Sequence, residues 1–232
     1  MGQLPLTLGL KPSASLDGFV GGANRAAVEH VRAVALGQRP DSVWLLGPAG
    51  TGKSHLLTGA CRAAAEAGFR PMYLAAGTAS DPAALAGLEG IDLLALDDLD
   101  RVAGDPAWEA ALFPAVNARQ ERGGLLFAAA RAPRDCGFLL PDLVSRLGAA
   151  PVYRLKALND DELRLAVSRQ ASMRGLVLDD AAASYLLQRV SRDLGELAEW
   201  LDRIDRFSLA AKRRVTIPLL REVLEARPPL DA

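Results

Sequence analysis

Residues 43–54 of the chain, Val-Trp-Leu-Leu-Gly-Pro-Ala-Gly-Thr-Gly-Lys-Ser, join a short apolar run to a glycine-rich segment. The apolar run Val43–Leu46 is typical of a buried strand in a parallel sheet. The segment after it satisfies the pattern G-x-x-x-x-G-K-[ST] in full and leads into a helical pattern, which predicts a phosphate-binding loop. The alternative is a glycine-rich turn that carries Lys-Ser by chance, and the flanking strand and helix disfavour it. The residues predicted to bind the phosphates are Gly47, Pro48, Ala49, Gly50, Thr51, Gly52, Lys53 and Ser54.

The residue types of this loop fit the chemistry of a nucleotide site. Glycines let backbone N–H groups turn toward phosphate oxygens, and the helix that begins here adds the positive end of its dipole. Lys53 is predicted to neutralise charge on the β- and γ-phosphates, and Ser54 to supply a hydroxyl ligand to Mg²⁺. We therefore expect ADP or ATP with Mg²⁺ as the bound cofactor. The sequence leaves open which of the two nucleotides is the working ligand.

Two adjacent carboxylates follow a second apolar strand, Leu93–Leu96. In P-loop proteins an acid in this place reaches Mg²⁺, and the next residue can orient a water. We predict that Asp97 binds the metal and that Asp98 has the catalytic role of orienting the water. An isolated Leu-Asp-Asp would more simply be an acidic turn after a core strand. The complete phosphate-binding loop upstream favours the metal site.

Strand-like and helix-like segments alternate in the N-terminal part of the chain, which predicts an α/β fold with a parallel sheet flanked by helices. After Tyr153 helical patterns follow one another, with a short apolar segment at Val215–Ile217, and these predict a small helical lid. The predicted organisation is a flexible tail at 1–12, an α/β nucleotide-binding domain at 13–156 and the lid at 157–232. The alternating segments are 24–36, 43–46, 71–75, 82–88, 91–96, 108–119 and 125–129.

The composition limits the classes of partner. Half of the 232 residues are hydrophobic and 24% are charged, which fits a folded globular protein. Lys and Arg number 27 against 28 Asp and Glu, so the chain lacks the positive balance that non-specific DNA binding favours, and any DNA contact should be indirect or local. The sequence shows no secretory signal and no uninterrupted apolar span, which predicts a cytoplasmic protein without membrane contact. Cys61 and Cys136 lack the paired spacings that bind zinc, so both should be reduced thiols.

Several segments resemble known bacterial proteins. Phe19–Asn24, the extended loop Gly52–Leu57 and Leu96–Asp98 resemble the AAA+ module of the replication initiator DnaA. A further set resembles the Hda family of DnaA regulatory inactivators, and the resemblance extends over essentially the whole chain. It implies an AAA+ fold with a C-terminal lid. The segments of this further set are Ala103–Glu109, Leu140–Leu147 and Val215–Pro218.

The resemblance to the Hda family implies a regulatory function. Members of that family are held by a sliding clamp loaded on DNA and promote hydrolysis of the ATP bound to DnaA. The product is an inactive ADP-bound initiator. The chain would then be a negative regulator of replication initiation rather than an enzyme with its own substrate. Its expected partners are DnaA and the DNA polymerase III sliding clamp, with DNA contacted mainly through the clamp.

Two sets of residues carry these partner contacts by resemblance. Arg146 matches the arginine finger of the family, which acts in trans, whereas spacing alone would favour a solvated or salt-bridged surface arginine. Gln3, Leu4 and Leu6 resemble the short peptide by which family members bind the sliding clamp. Outside that family setting, the same residues would be taken as a disordered terminus.

The chain departs from the AAA+ pattern at two polar positions. Where a polar sensor-1 residue usually follows a core strand, the sequence has Ala128–Ala130 and only then Arg131. Where the initiator family has its sensor-2 arginine, the chain has Gly195, although Arg192 lies nearby in the sequence. Loss of a cation near the γ-phosphate should weaken turnover. We predict nucleotide binding with slow intrinsic hydrolysis.

Three alternatives remain open at the level of sequence. The first is a DNA-handling AAA+ ATPase of the helicase-loader or transposition-helper type, which should bind single-stranded DNA in a salt-dependent way. The second is a P-loop enzyme that transfers phosphate to a small substrate, which would need an acceptor pocket and rapid turnover. The third is an adaptor that tethers a partner to the clamp without a working Arg146. Self-association of the AAA+ kind is also left open.

Overall fold

The computed structural model describes residues 14–79, 81–119 and 123–226, and these form two compact units that divide after Lys156. The first unit contains the sheet and the phosphate-binding loop. The second unit, from Ala157 onward, is helical. The residues predicted to bind the clamp, Gln3, Leu4 and Leu6, lie outside the described ranges.

The first unit is built on a five-stranded parallel sheet in the order β2-β3-β4-β1-β5. The phosphate-binding loop follows β1, which pairs with β4 on one side and with β5 on the other. The parallel α/β architecture predicted from the alternating segments is confirmed. The strands are β1 (Ser42–Leu46), β2 (Pro71–Ala75), β3 (Leu93–Asp97), β4 (Gly124–Ala129) and β5 (Val152–Arg154).

Helices cover both faces of this sheet because successive side chains of a strand point to opposite sides. Trp44 and Leu46 of β1 belong to one hydrophobic cluster, and Val43 and Leu45 belong to the other. Helices α3 and α4 contribute to the first cluster, whereas α1 and α2 contribute to the second. The helices are α1 (Arg25–Ala35), α2 (Lys53–Glu66), α3 (Pro106–Asn117) and α4 (Pro141–Gly148).

Two segments of this unit differ from the sequence-based expectation. The segment 82–88, expected to be helical, forms only a 3₁₀ turn at Pro82–Leu85, which the Asp81 carboxylate caps and which gives way to Gly87 at φ +68°. The short strand β5 was not predicted. Its residues are largely exposed and few, so they lack the continuous apolar run that marks the other strands.

Side-chain caps mark the starts of the first three helices of the second unit, whereas Thr216 makes no side-chain cap at the start of the fourth. The Asn159 side chain accepts a hydrogen bond from the Glu162 N–H while the Glu162 carboxylate accepts one from the Asn159 N–H, which forms a capping box. Asp179 and Asp193 cap the next two helices by accepting hydrogen bonds from backbone N–H groups of the first turn. The expected helical lid is therefore present. Its helices are α5 (Asp160–Met173), α6 (Asp180–Leu187), α7 (Leu194–Ala211) and α8 (Ile217–Glu225).

The lid has its own apolar core. Leu197, Leu201 and Ile204 recur along one face of α7 and are buried, as their spacing of three and four predicted. The apolar segment predicted at Val215–Ile217 leads directly into α8, because Pro218 occupies the first turn of that helix. Within the described ranges, no helix combines the length and apolar character needed to cross a membrane.

Candidate nucleotide site

The phosphate-binding loop connects the buried strand β1 to the first turn of α2. Gly50 and Gly52 both have positive φ angles, 78° and 90°, which side chains with a Cβ rarely adopt. At Gly47 an added Cβ would lie 2.9 Å from Thr51 Oγ1 and 3.2 Å from the Leu155 carbonyl oxygen. The glycines of the motif thus allow a turn and a close approach of chain segments that other residues would obstruct.

The Lys53 side chain is buried inside this loop. Its ammonium group donates hydrogen bonds to the Gly47 carbonyl at 2.7 Å and to the Pro48 carbonyl at 2.9 Å. The Thr51 hydroxyl donates to the same Pro48 carbonyl at 2.9 Å. Ser54, one residue farther along α2, is exposed. The loop therefore holds a positive charge at its centre and offers a hydroxyl at its surface.

Asp97 is the last residue of β3 and is 1% exposed. Its Oδ2 accepts a hydrogen bond of 2.8 Å from the Tyr73 hydroxyl on the neighbouring strand β2. Its Oδ1 accepts one of 2.9 Å from the backbone N–H of Asp98. Burial, followed by the charge of Asp97, raises the pKa of Tyr73, so the phenol remains protonated and acts as the donor.

Asp98 occupies a strained position directly after the strand, with φ 54° and ψ 36°. A left-handed conformation is unusual for a residue other than glycine and turns the chain sharply at the end of β3. Burial, followed by repulsion from Asp97, raises the pKa of the Asp98 carboxyl, whereas the cations Arg101 and Lys53 act in the opposite direction. The influence of Lys53 indicates that the loop and this acidic pair belong to one electrostatic site.

Ala128–Ala130, at the end of β4 and just after it, occupy the place where AAA+ proteins usually have a polar sensor residue. The Ala129 carbonyl accepts a hydrogen bond from the Gly47 N–H at 3.3 Å, which joins β4 to the phosphate-binding loop. The Ala130 N–H donates to the Asp100 carboxylate at 3.0 Å. Arg131, the next polar residue, is exposed. No side chain of Ala128–Ala130 can therefore hydrogen-bond to a nucleotide.

The second departure from the AAA+ pattern lies at the start of α7 in the lid. Gly195 donates its N–H to the capping carboxylate of Asp193 at 2.7 Å and has no side chain to contribute. Arg192 forms an ion pair of 2.8 Å with Asp160, and both side chains are exposed. Arg192 is thus paired within the lid.

Arg146 lies in the last turn of α4. Its exposed side chain lines a surface pocket of about 520 Å³ together with Phe113 of α3 and Asp142 at the start of α4. None of the predicted phosphate-binding residues lines this pocket. Lys53 is thus close enough to Asp98 to influence its carboxyl, whereas Arg146 lines a pocket without any of the predicted phosphate-binding residues.

Glu109 fixes the segment that leads into α4. This carboxylate is 0% exposed and accepts hydrogen bonds from the backbone N–H groups of Gly104, Leu139 and Leu140 at 2.8–2.9 Å. Leu140 is the residue before the first turn of α4. A buried charge on α3 thus holds the start of the helix that carries Arg146.

Neither Tyr73 nor Glu109 was predicted to have a role in the site. Tyr73 gave no signal, because the sequence does not show which strand lies beside β3. The sequence does contain a signal for Glu109. This acidic residue lies between Trp108 and Leu112 on the buried side of α3, where an acidic residue is unusual. A charged residue within an apolar stripe indicates a buried partner, here three backbone N–H groups.

The donor set of the site fits a nucleotide with Mg²⁺. Mg²⁺ usually binds through one or two protein oxygens, together with waters and the phosphates of its nucleotide. The Ser54 hydroxyl and the Asp97 carboxylate are groups of this kind. In the described part of the chain, no cluster of three or more His, Cys, Asp or Glu residues forms a separate metal site. Burial raises the pKa of both Cys61 and Cys136 to about 12, so neither thiol is a thiolate ligand at neutral pH.

Solved structures share this fold. Domain III of the Thermotoga maritima initiator DnaA superposes with a TM-score of 0.75 at 16% identity, covering 94% of this chain and 98% of that chain. DnaA from Aquifex aeolicus, solved with AMPPCP bound, gives a TM-score of 0.66 at 25% identity, covering 84% of this chain and 66% of that chain. The RuvB Holliday junction branch migration motor of T. maritima gives a TM-score of 0.64 at 23% identity, covering 93% of this chain and 72% of that chain. At 16% and 23% identity, the likenesses to DnaA domain III and to RuvB show the fold alone.

The lid supplies the more specific comparison. Residues 160–224, which span α5 to α8, match the family model described as the lid domain of Hda. The lid match and the DnaA-like fold agree with the resemblance found in the sequence. The chain thus combines an AAA+ fold like that of DnaA with a lid that matches the lid domain of Hda.

Proposed function

We propose that this protein is a negative regulator of chromosomal replication initiation, which promotes hydrolysis of the ATP bound to DnaA when a sliding clamp is loaded on DNA. The observation that carries the proposal is the Hda-type lid on a DnaA-like AAA+ fold. The product would be ADP-bound DnaA, which does not initiate. The protein would act in the cytoplasm as a regulator and not as an enzyme with a substrate of its own.

Arg146 is the group proposed to act on the partner's nucleotide. Its side chain is exposed and lines a surface pocket that none of the predicted phosphate-binding residues lines, which supports a role toward a ligand held by another molecule. A guanidinium supplied in trans stabilises the charge that develops on a transferring phosphoryl group. The buried Glu109 holds the start of α4 and so limits the positions that Arg146 can take.

The chain's own nucleotide site would have a structural and signalling role. Gly47–Ser54 would bind the phosphates of ADP or ATP, with Ser54 and Asp97 toward Mg²⁺ and Asp98 toward water. Mg²⁺ would neutralise phosphate charge when bound. Because Ala128–Ala130 and Gly195 offer no polar side chain, we propose that intrinsic hydrolysis is slow. Rapid turnover by the isolated protein would contradict this.

The N-terminal residues are proposed to bring the regulator to DNA. Gln3, Leu4 and Leu6 would bind the sliding clamp, because a glutamine amide can hydrogen-bond in a pocket whose apolar groove accepts leucine side chains. DNA would then be contacted mainly through the clamp. This arrangement agrees with the near balance of 27 basic and 28 acidic residues.

The test measures hydrolysis of radiolabelled ATP already bound to DnaA, with clamp loaded on DNA. We expect the unaltered protein to accelerate hydrolysis only when the clamp is present. Arg146→Ala should lose the acceleration, by about 10³-fold if the guanidinium acts as a finger, and Arg146→Lys should restore little of it. Arg134→Ala, which removes another exposed arginine from the first unit, is the matched control and should retain full activity.

The outcomes of this experiment separate the alternatives. If the protein binds the clamp but does not accelerate hydrolysis of the ATP on DnaA, it acts as an adaptor that only tethers its partner. If the protein neither binds the clamp nor accelerates hydrolysis, and binds single-stranded DNA in a salt-dependent way, a DNA-handling ATPase is favoured. Equal activity of Arg146→Ala and Arg134→Ala would contradict the role of Arg146. A variant altered at Gln3, Leu4 and Leu6 should lose acceleration while still binding nucleotide.

A further inference from the structure

The lid contains a surface groove, and no residue of the candidate nucleotide site lines it. We call it the lid groove. It has a volume of about 710 Å³ and is formed by the connection between α5 and α6 and by the turn between α7 and α8. The residues that define it are Gly175–Val177, Asp179, Ser208–Leu209 and Lys212–Thr216.

Two large apolar side chains line the lid groove and face solvent. Val177 is 83% exposed and Leu209 is 69% exposed, the highest values among the large hydrophobic residues of the described ranges. The two residues come from different connections of the lid, yet they line one groove. Neither contributes to the buried core of the lid. Exposed apolar side chains gathered at one concave surface indicate a contact site for another molecule.

The turn between α7 and α8 is fixed by its own contacts. The Ser208 hydroxyl donates to the Arg213 carbonyl at 2.6 Å, and the Arg213 N–H donates to the Ser208 carbonyl at 3.1 Å. The Arg213 guanidinium is held by both carboxylate oxygens of Glu222, at distances between 2.9 and 3.1 Å. This side of the groove is therefore ordered in advance, which lowers the entropy cost of binding.

The charges along the groove are unbalanced. Arg213 is paired with Glu222, and the one carboxylate that lines the groove is that of Asp179, which accepts a hydrogen bond from the Ala182 N–H as the cap of α6. Lys212 and Arg214 are exposed, and neither forms an ion pair with a described residue. Two cations beside two apolar side chains are complementary to a ligand that carries both carboxylates and apolar groups.

We infer that the lid groove is the docking site for an extended acidic segment of a partner protein, with apolar side chains placed between its carboxylates. Val177 and Leu209 would contact the apolar side chains, while Lys212 and Arg214 would pair with the carboxylates. A peptide fits this surface better than a nucleic acid does, because no aromatic side chain lines the groove for base stacking. The site is independent of the nucleotide site and of the activity proposed for Arg146.

The test uses the full chain and a fluorescein-labelled peptide of about ten residues in which Glu and Leu alternate, long enough to lie along such a groove. Fluorescence anisotropy gives its dissociation constant. We expect saturable binding that weakens with salt. Both Leu209→Ser and the double change Lys212→Gln with Arg214→Gln should weaken it by at least about tenfold.

Matched changes elsewhere on the lid serve as controls. Leu165→Ser removes another exposed apolar side chain, 45% exposed on α5, and Arg169→Gln removes an exposed cation from the same helix. Neither residue lines the groove, so both variants should bind the peptide as the unaltered chain does. Urea unfolding should show that all variants are folded, because each altered side chain is exposed.

Several outcomes would overturn the inference. If the peptide shows no saturable binding, or if the control changes weaken its binding as much as the groove changes do, the inference is contradicted. Tighter binding of a single-stranded oligonucleotide than of the peptide would assign the groove to nucleic acid. Loss of a concentration-dependent dimer in Leu209→Ser would assign it to a second copy of the chain. If removal of residues 227–232 raises the affinity for the peptide by more than about tenfold, the occupant of the lid groove is that segment of the chain itself.

Discussion

At the scale of single residues, Asp97 shows how a charge is kept in the core. Transfer of a carboxylate from water is unfavourable unless hydrogen-bond donors replace its solvent. Tyr73 and the Asp98 N–H supply one donor to each oxygen, and both lie within 2.9 Å. The carboxylate is thereby fixed in orientation while further lone pairs remain for a metal ion.

We expect Tyr73→Phe to lower the free energy of unfolding by about 1–3 kcal/mol, because it leaves a buried carboxylate oxygen without its donor. Urea denaturation followed by circular dichroism measures this loss. In a chain that already carries Asp97→Asn, the same change should cost clearly less, since the charged acceptor is gone. Equal losses in the two backgrounds would show that the tyrosine acts through packing and not through Asp97.

The backbone turn of the loop could be predicted because its geometry depends on glycines at fixed spacing. Gly50 and Gly52 have the positive φ angles that such a loop needs. The Tyr73–Asp97 contact could not be predicted in the same way. It joins residues of two strands that become neighbours only when the sheet forms, and no local pattern records that pairing.

At the scale of elements, the link between α3 and α4 is a buried charge rather than apolar packing alone. Glu109 accepts its hydrogen bonds from three backbone N–H groups, two of them directly before α4. Hydrogen bonds to a charged acceptor are stronger than neutral ones. The position of α4, and therefore of Arg146, depends on this side chain together with the buried Leu143 and Leu147.

We expect Glu109→Gln to lower the free energy of unfolding by about 2–4 kcal/mol. The neutral amide keeps one acceptor oxygen, but its NH₂ group would face backbone N–H donors. Urea denaturation measures the stability. If the proposed function holds, clamp-dependent hydrolysis on DnaA should also fall under conditions in which the variant is fully folded. Glu162→Gln, which changes an acidic residue in the lid, is the matched control and should leave that hydrolysis unchanged.

The elements themselves were predictable to different degrees. The stripe on α7 extends over many residues, so its helical period is clear in the sequence. The segment 82–88 also looked helical, but Gly87 in a left-handed conformation ends it after one turn. Strand β5 depends on pairing with β1, and its own residues are too few to show a pattern.

At the scale of the whole molecule, Asn24 holds the last residue of the first unit. Its side-chain amide donates to the Lys156 carbonyl at 2.9 Å, and its carbonyl oxygen accepts from the Lys156 N–H at 2.8 Å. The Asn24 side chain is 4% exposed, whereas the Lys156 side chain is exposed. Two hydrogen bonds from the segment before α1 thus fix the backbone at the point where the chain passes to the lid.

We expect Asn24→Ala to make the chain about tenfold more sensitive to trypsin after Lys156, because the loss of two hydrogen bonds raises the population of locally opened backbone. Mass spectrometry of a time course identifies the fragments. Cleavage after Lys212 serves as the internal reference and should keep its rate. If both sites are cut faster to the same degree, the change has destabilised the molecule as a whole.

The sheet order has a consequence for the growing chain on the ribosome. β1 is made first, yet it pairs only with β4 and β5, so that Trp44 lies opposite Phe127 and Val152. β2 and β3 can pair with each other as soon as both are synthesised, but β1 must remain unpaired until the later strands emerge. Contacts so distant in sequence form late. During synthesis the apolar strand of the nucleotide site is therefore exposed, and it is a natural segment for chaperone binding.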